Sequence, residues 1–300
     1  MTHYASKILL FGEHTINRGS QALAIPFPLF GGAWRTSADR SRQQHLPQLL
    51  DYLQDLQEKN ELLFDLDLKA LRKKLSEGLY FESNIPVGYG LGSSGALCAA
   101  VYDTFCTHDK VERTENARFS ELRKALAQIE SFFHGTSSGT DPLICYLNQP
   151  VLLLPSGQVQ TVKIPQESEL TFFLLDTNIP RSTGPMVQYF LERCADPAFA
   201  EKVTTELVRH TNSAIAAFLQ AEWEHLFEDV TEISRFQMEH LPGMTPDHFH
   251  AIWKKGLQGN LFRLKMCGAG GGGFILGCSY DWEQVQSVLS GYNLQKAYPI

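Results

Sequence analysis

Four stretches of this chain carry residues whose types and spacing could do chemistry. "KILLFGEH" opens on Lys7 and closes on Glu13 and His14. "GYGLGSS" sets glycines at 88, 90 and 92 and ends on the paired hydroxyls of Ser93 and Ser94. "ESFFHGTSSGTD" places Glu130 and Asp141 on either side of a Gly/Ser-rich turn, and "DTNIPRST" presents Arg181 and Thr183 after an apolar run. A positioned carboxylate can take a proton, a carboxylate with a hydroxyl suits a hard cation, and glycine-rich backbone can turn its N–H groups onto an anion.

The glycine loop admits three readings. Gly90-Leu91-Gly92-Ser93-Ser94-Gly95 satisfies the dinucleotide pattern G-x-G-x-x-G, but so does Gly268 to Gly273, so the letters decide nothing. A dinucleotide site needs a second strand and an acidic residue ~20 residues on, and here the following helix runs into the charged "THDKVERTENARFSEL" instead. A Walker loop needs a Lys before the hydroxyl, and neither serine has one. A phosphate cradle survives: a helix starting near Ser93 or Ser94 aims its positive end at the loop. A tight turn with a serine cap also survives. The other residues have bland alternatives too. Asp141 before Pro142 could be a helix N-cap, Lys7 an edge-strand lysine, His14 a loop histidine and Glu130 a surface carboxylate. At about 100° per residue, however, Glu130 falls on the border of its helix's apolar stripe, where a carboxylate needs a partner such as a cation.

The elements that must position these groups follow from pattern. "YASKILLFG" reads as a strand, and "ALAIPFPLFGGAWRTSA" as strand pieces broken by Pro26, Pro28 and Gly31-Gly32. Leucines at 50, 53 and 56 and the stretch "LDLKALRKKLSEG" predict helices between 46 and 76, with Gly78 as a stop. "LYFES" is a short strand, "SGALCAAVYDTF" a small-residue helix, and "RFSELRKALAQIESFFHG" an amphipathic helix ending at Gly135. "PVLLLPSG" with "VQTVKIP" predicts a hairpin, and "LTFFLLDTN" a buried strand. Helices are expected over 185–193, 198–221, 223–239 and 246–258, then loop and strand in "RLKMCGAGGGGFILGC" and a last helix in "DWEQVQSVLSGY". Strands and helices mix without regular alternation, which favours an α+β class, with a boundary near residue 168 (units 1–168 and 169–300).

Composition bounds the function classes. The 300 residues are 43% hydrophobic and 20% charged, with a net charge of −7 and a pI of about 5.8. A broad basic surface for nucleic acid is not available, and an acidic membrane repels such a chain. No apolar run approaches the ~20 residues of a membrane span, and the N-terminus has no secretory pattern. Six cysteines without C-x-x-C spacing predict reduced thiols and a cytoplasmic protein. A homodimer stays open.

Taken together and in order, these motifs resemble the GHMP kinase family, and within it mevalonate kinases. The family's K-x-x-L-x-G-E-H matches Lys7 to His14, its P-x-G-x-G-L-G-S-S matches Pro86 to Ser94, and E-x-x-x-H-G-x-x-S-G-x-D matches Glu130 to Asp141. "DTNIPRST" is similar to N-T-x-V-P-R-x-T, and G-A-G-G-G-G stands from Gly268. The resemblance implies a two-lobed fold, with a βαβ-type N-terminal domain and a ferredoxin-like C-terminal α/β sandwich. It implies ATP-dependent phosphorylation of a small-molecule alcohol. Asp141 would be the general base, with Lys7 stabilising charge beside it. Ser94 and Glu130 would hold Mg²⁺, and Gly88, Tyr89, Gly90, Leu91, Gly92, Ser93 and Ser94 would cradle the triphosphate. Glu13, His14 and Thr183 would hold the acceptor, with Arg181 facing its carboxylate. The chain departs from the pattern at Ser6, where Gly is common, at Thr136-Ser137, which replaces x-Pro, and at Cys267, where Thr or Ser is usual. Mevalonate is the expected acceptor; phosphomevalonate and sugars stay open, as does a non-catalytic sensor of the same fold.

Overall fold

The computed structural model describes residues 2–299. Two antiparallel sheets organise it, one built from residues 4–161 and the other from 171–298. In the first, β1 (Tyr4–Phe11) lies beside β2 (Ala22–Thr36), β3 (Leu79–Ser83) pairs with the far half of β2, and β4 (Val151–Leu153) and β5 (Val159–Thr161) complete the order β1-β2-β4-β5. Helices α1 (Leu46–Glu58) and α2 (Leu68–Ser76) fill the excursion between β2 and β3. Three more, α3 (Ser93–Phe105), α4 (Phe119–His134) and α5 (Thr140–Leu147), lie between β3 and β4.

The second sheet opens with β6 (Thr171–Asp176). The chain then runs through α6 (Thr183–Arg193), α7 (Pro197–Lys202), α8 (Arg209–Gln220), α9 (Trp223–His240) and α10 (His250–Gln258) before returning as β7 (Arg263–Met266) and β8 (Phe274–Ser279). Last come α11 (Trp282–Val288) and β9 (Leu294–Tyr298). Its order, β7-β8-β6-β9 with every pair antiparallel, is the ferredoxin-like arrangement expected from the resemblance. The class is α+β.

Four readings of the elements need correction. β2 is one continuous strand, not pieces: its pairing with β1 jumps from Phe27 to Gly31, so Pro28 sits in a bulge where no ladder N–H is required. The stretch "RLKM" is a strand, β7, all four residues of which are buried. β9 went unread because "LQKAY" lacks alternation; it is an edge strand on β6, where Lys296 is tolerated. The expected helix over 198–221 is one run, but a six-residue π-helical turn, Val203–Val208, separates α7 from α8.

What positions the site is α3. Gly95, Ala96, Cys98, Ala99 and Ala100 are all buried, so the helix can approach β1 and α5 closely. A Cβ on Gly95 would stand 2.9 Å from the Asp141 carbonyl carbon and the Pro142 nitrogen. Only glycine permits that crossing, and it brings the first turns of α3 and α5 together. Among the described residues no helix is long and apolar enough to cross a membrane, and all six cysteines are free.

Candidate active site

The glycine loop is tied to β1 on the side away from β2, where the Lys7 N–H donates to the Leu91 carbonyl at 3.0 Å. Gly88, Gly90 and Gly92 all adopt positive φ (80°, 72° and 79°), and Gly92 itself is the N-cap of α3, without a side-chain cap. The serine-cap alternative is therefore wrong: Ser93 and Ser94 lie inside the first turn, and their N–H groups belong to an uncapped helix end.

Asp141 is not a helix cap either. Gly139 is the N-cap of α5, and Asp141 lies in its first turn. Its Oδ1 accepts from Lys7 Nζ at 2.9 Å; the lysine is 7% exposed and the carboxylate 35%. A lysine on an edge strand normally keeps its amine in water. This one is drawn under the glycine loop by a carboxylate that remains half open to solvent.

Glu130, predicted at the edge of its helix's apolar face, is 5% exposed. Its Oε1 accepts from Ser94 Oγ at 3.2 Å, and its Oε2 accepts from Ser137 Oγ. His134 Nε2 stands 3.1 Å from the same Ser94 hydroxyl. Among the described residues no cation lies within ion-pair distance of Glu130. Burial and then the nearby Asp141 charge push its carboxyl up to about 7, against the pull of the two hydroxyls. A buried carboxylate next to a hydroxyl, with Lys7 acting on it only from beyond ion-pair distance, is a donor set that fits Mg²⁺. No group of three or more His, Cys, Asp or Glu among the described residues could hold a metal ion. Ser94 and Glu130 would thus be the few protein oxygens offered to a cation here.

This environment has a pH signature. A carboxyl raised from 4.5 to about 7 by folding keeps its proton longer than in the unfolded chain. Its contribution is therefore fully present below pH ~4.5 and lost as pH rises through ~7. Glu130→Gln removes that loss. Without divalent cations, the thermal midpoint of the Gln variant minus that of wild type should grow from pH 5 to pH 8. A difference that stays flat over that range would show that the buried carboxylate has no such shift.

Four residues expected at the acceptor end fall in different settings. His14 holds φ of +63°, stacks 4.8 Å from Phe190, and has Nε2 3.1 Å from the Ala269 carbonyl. Burial lowers its pKa, so the ring is neutral near pH 7. Since a carbonyl only accepts, Nε2 carries the hydrogen and Nδ1 is a bare acceptor. Glu13 Oε1 is occupied, accepting from Lys265 Nζ and, at 3.1 Å, from Gln237 Nε2, whereas its Oε2 is buried without a partner. Arg181 stands between the two glycine loops. Its Nη1 donates to the Gly270 carbonyl at 3.3 Å, and a Cβ on Gly90 would come within 1.7 Å of Nη2. Burial lowers the Arg181 pKa, its Nε has no partner, and among the described residues it has no ion pair. Thr183 is exposed at the start of α6.

The sequence reading missed Ser137, Lys265 and Gln237 as parts of this region. Lys265 left a signal, a lone charge between Leu264 and Met266, since a lysine is almost never buried unpaired. Gln237 left none. The second glycine run also proves structural to the cradle: Arg181 N–H donates to the Gly88 carbonyl at 3.0 Å, and Gly273 N–H to the Ile179 carbonyl at 2.7 Å.

Residues 61–149 match the GHMP kinases N terminal domain. The chain is 24% identical to a mevalonate kinase of Arabidopsis thaliana over 65% of its length, a match spanning 54% of that relative's own length. Among solved structures, an L. major mevalonate kinase in complex with R-mevalonate aligns with a TM-score of 0.67 and 14% identity, covering 99% of this chain and 95% of that one. A Streptococcus pneumoniae phosphomevalonate kinase in complex with phosphomevalonate and AMPPNP gives a TM-score of 0.67 at 16% identity, covering 98% and 99%. The fold is that of the GHMP kinases, residues 61–149 match the model of their N-terminal domain, and the chain resembles mevalonate kinases among them.

Proposed function

We propose that this protein transfers the γ-phosphoryl group of ATP to a small-molecule alcohol, and that the alcohol is mevalonate, giving 5-phosphomevalonate for isoprenoid precursor synthesis in the cytoplasm. The observation that carries the reading is the Lys7–Asp141 pair, held at 2.9 Å where the first turns of α3 and α5 meet. Asp141 caps no helix, and its carboxylate stays 35% exposed beside a lysine that is 7% exposed. The relatives' names support the acceptor.

In this reading residues 1–168 and 169–300 form the two lobes, and the backbone from Gly88 through Tyr89, Gly90, Leu91 and Gly92 to Ser93 and Ser94 faces the triphosphate. Ser94 and Glu130 hold Mg²⁺, which when bound would neutralise phosphate oxygens. Asp141 takes the proton of the acceptor hydroxyl as its oxygen forms a bond to the γ-phosphorus, and the bond to the β-γ bridging oxygen breaks to release ADP. Lys7 offsets the charge gathering beside Asp141. His14 offers its bare Nδ1 to the acceptor, Glu13 its free Oε2, and Thr183 a hydroxyl. Arg181 is a half-buried cation that has no acid partner among the described residues, suited to the acceptor's carboxylate.

A coupled assay of ADP release with Mg-ATP tests this against mevalonate, phosphomevalonate, galactose and homoserine. Mevalonate should give the highest kcat/KM. Equal or greater release with another acceptor would overturn the substrate while leaving phosphoryl transfer, and no release with any would favour a sensor.

A further inference from the structure

Glu130 is held from two sides, and only one of them follows the family's pattern. Ser94, in the glycine loop, donates to Oε1. The donor to Oε2 is Ser137, at a position where the related motif carries proline. Proline has no hydrogen to give, so a chain that carries the motif's proline there lacks this contact. The Ser137 hydroxyl has a second attachment, since it accepts from the Gly139 N–H at 2.9 Å. Gly139 is the N-cap of α5, two residues before Asp141. One hydroxyl thus spans the carboxylate on α4 and the turn that delivers Asp141.

We propose that Ser137 is a positioning residue, fixing the Glu130 carboxylate for a divalent cation through Oε2 and fixing the turn before Asp141 through the Gly139 N–H. Glu130 ends a buried helix face, and among the described residues no ion pair restrains it. Two hydroxyl donors are what set the plane of its carboxylate. Without Ser137, Oε2 has no described partner, and the carboxylate can turn about its last torsion. Outer-shell partners that orient a ligand in this way typically carry 10–100-fold in metal affinity.

The inference rests on the kinase reading, and the experiment separates the two. Mn²⁺ binding in the presence of ATP, and separately Mn²⁺ alone, is measured by electron paramagnetic resonance for wild type, Ser137→Ala and Ser137→Thr. Thermal unfolding of each is followed in parallel. Ser137→Ala should bind Mn²⁺ with ATP about 10–100-fold more weakly, and Ser137→Thr, which keeps the hydroxyl, should bind like wild type. Nucleotide affinity without metal should be unchanged in both. If wild type binds no Mn²⁺–ATP, the kinase reading fails and this one with it. If wild type binds and Ser137→Ala binds equally, Ser137 is not a positioning residue and the kinase reading stands. An unfolded Ala variant, or a Thr variant as weak as Ala, also overturns the proposal, because the hydroxyl would then be serving the fold.

Discussion

Asp141→Asn should lose about 10²–10⁴ in kcat, the usual cost of removing a positioned base, or roughly 3–5 kcal/mol in the barrier. The amide cannot accept the acceptor's proton. It can still receive a hydrogen bond from Lys7 through its oxygen, so the local geometry is largely kept. Since Gly139 and not Asp141 caps α5, the substitution removes no cap. It does take the counter-charge from a lysine that is 7% exposed, so a modest fall in thermal midpoint should accompany the loss of rate. Nucleotide Kd should stay within a few-fold, because the glycine loop is held by the Leu91 carbonyl and not by the carboxylate. The measurements are kcat, nucleotide Kd and thermal midpoint side by side. An Asn variant with near wild-type turnover would return Asp141 to a purely structural ion pair.

The second large effect is expected far from any proton transfer. Lys265 and Glu13 have side chains 2% and 4% exposed, and they join β7 of one sheet to the end of β1 in the other. Lys265 also donates to the Met266 carbonyl at 2.7 Å and lies 5.6 Å above the Phe11 ring. Removing one member of a buried pair strands the other, which costs about 3–5 kcal/mol. Lys265→Met should therefore lower the thermal midpoint by about 6–20 °C, at the ~2–4 °C per kcal/mol found for large domains. The double variant Glu13→Gln with Lys265→Met has no charge left to strand, and Gln237 can still donate to the new amide oxygen. It should recover more than half of the loss. Calorimetry on the two single variants and the double settles the matter, and a strictly additive result would mean that the two groups do not act as a pair.

The legible part of this protein was local. β1, α3, α4, β6 and α9 announced themselves through runs and periodicity, because each buries a face that its own letters describe. The glycine loop and the Glu130 to Asp141 turn were legible as motifs, since unusual backbone and short-range hydroxyl contacts are written in adjacent residues. What escaped depends on partners distant in sequence. β7 looked like a loop because Arg263 and Lys265 are charged; their partners, the carbonyls of Gly256 and Gly259 for one and Glu13 for the other, cannot be inferred from the strand itself. The bulge in β2 was masked by its prolines, and Asp141 imitated a cap until Gly139 was seen to take that place. Gln237 joins Glu13 to the Met266 N–H across 224 and 29 residues of sequence, and no window of the chain contains that connection.

The surroundings of the first glycine loop are shared between the halves of the chain. Arg181, from the segment after β6, donates through its N–H to the Gly88 carbonyl and stands with its guanidinium against Gly90 and Gly268 at once. Neither loop can be transplanted alone. A chain divided between the two halves would part the first loop from its arginine, losing the N–H bond to the Gly88 carbonyl and the guanidinium that stands against Gly90. In this protein the two glycine runs and Arg181 thus form one interlocked piece assembled from both halves of the chain.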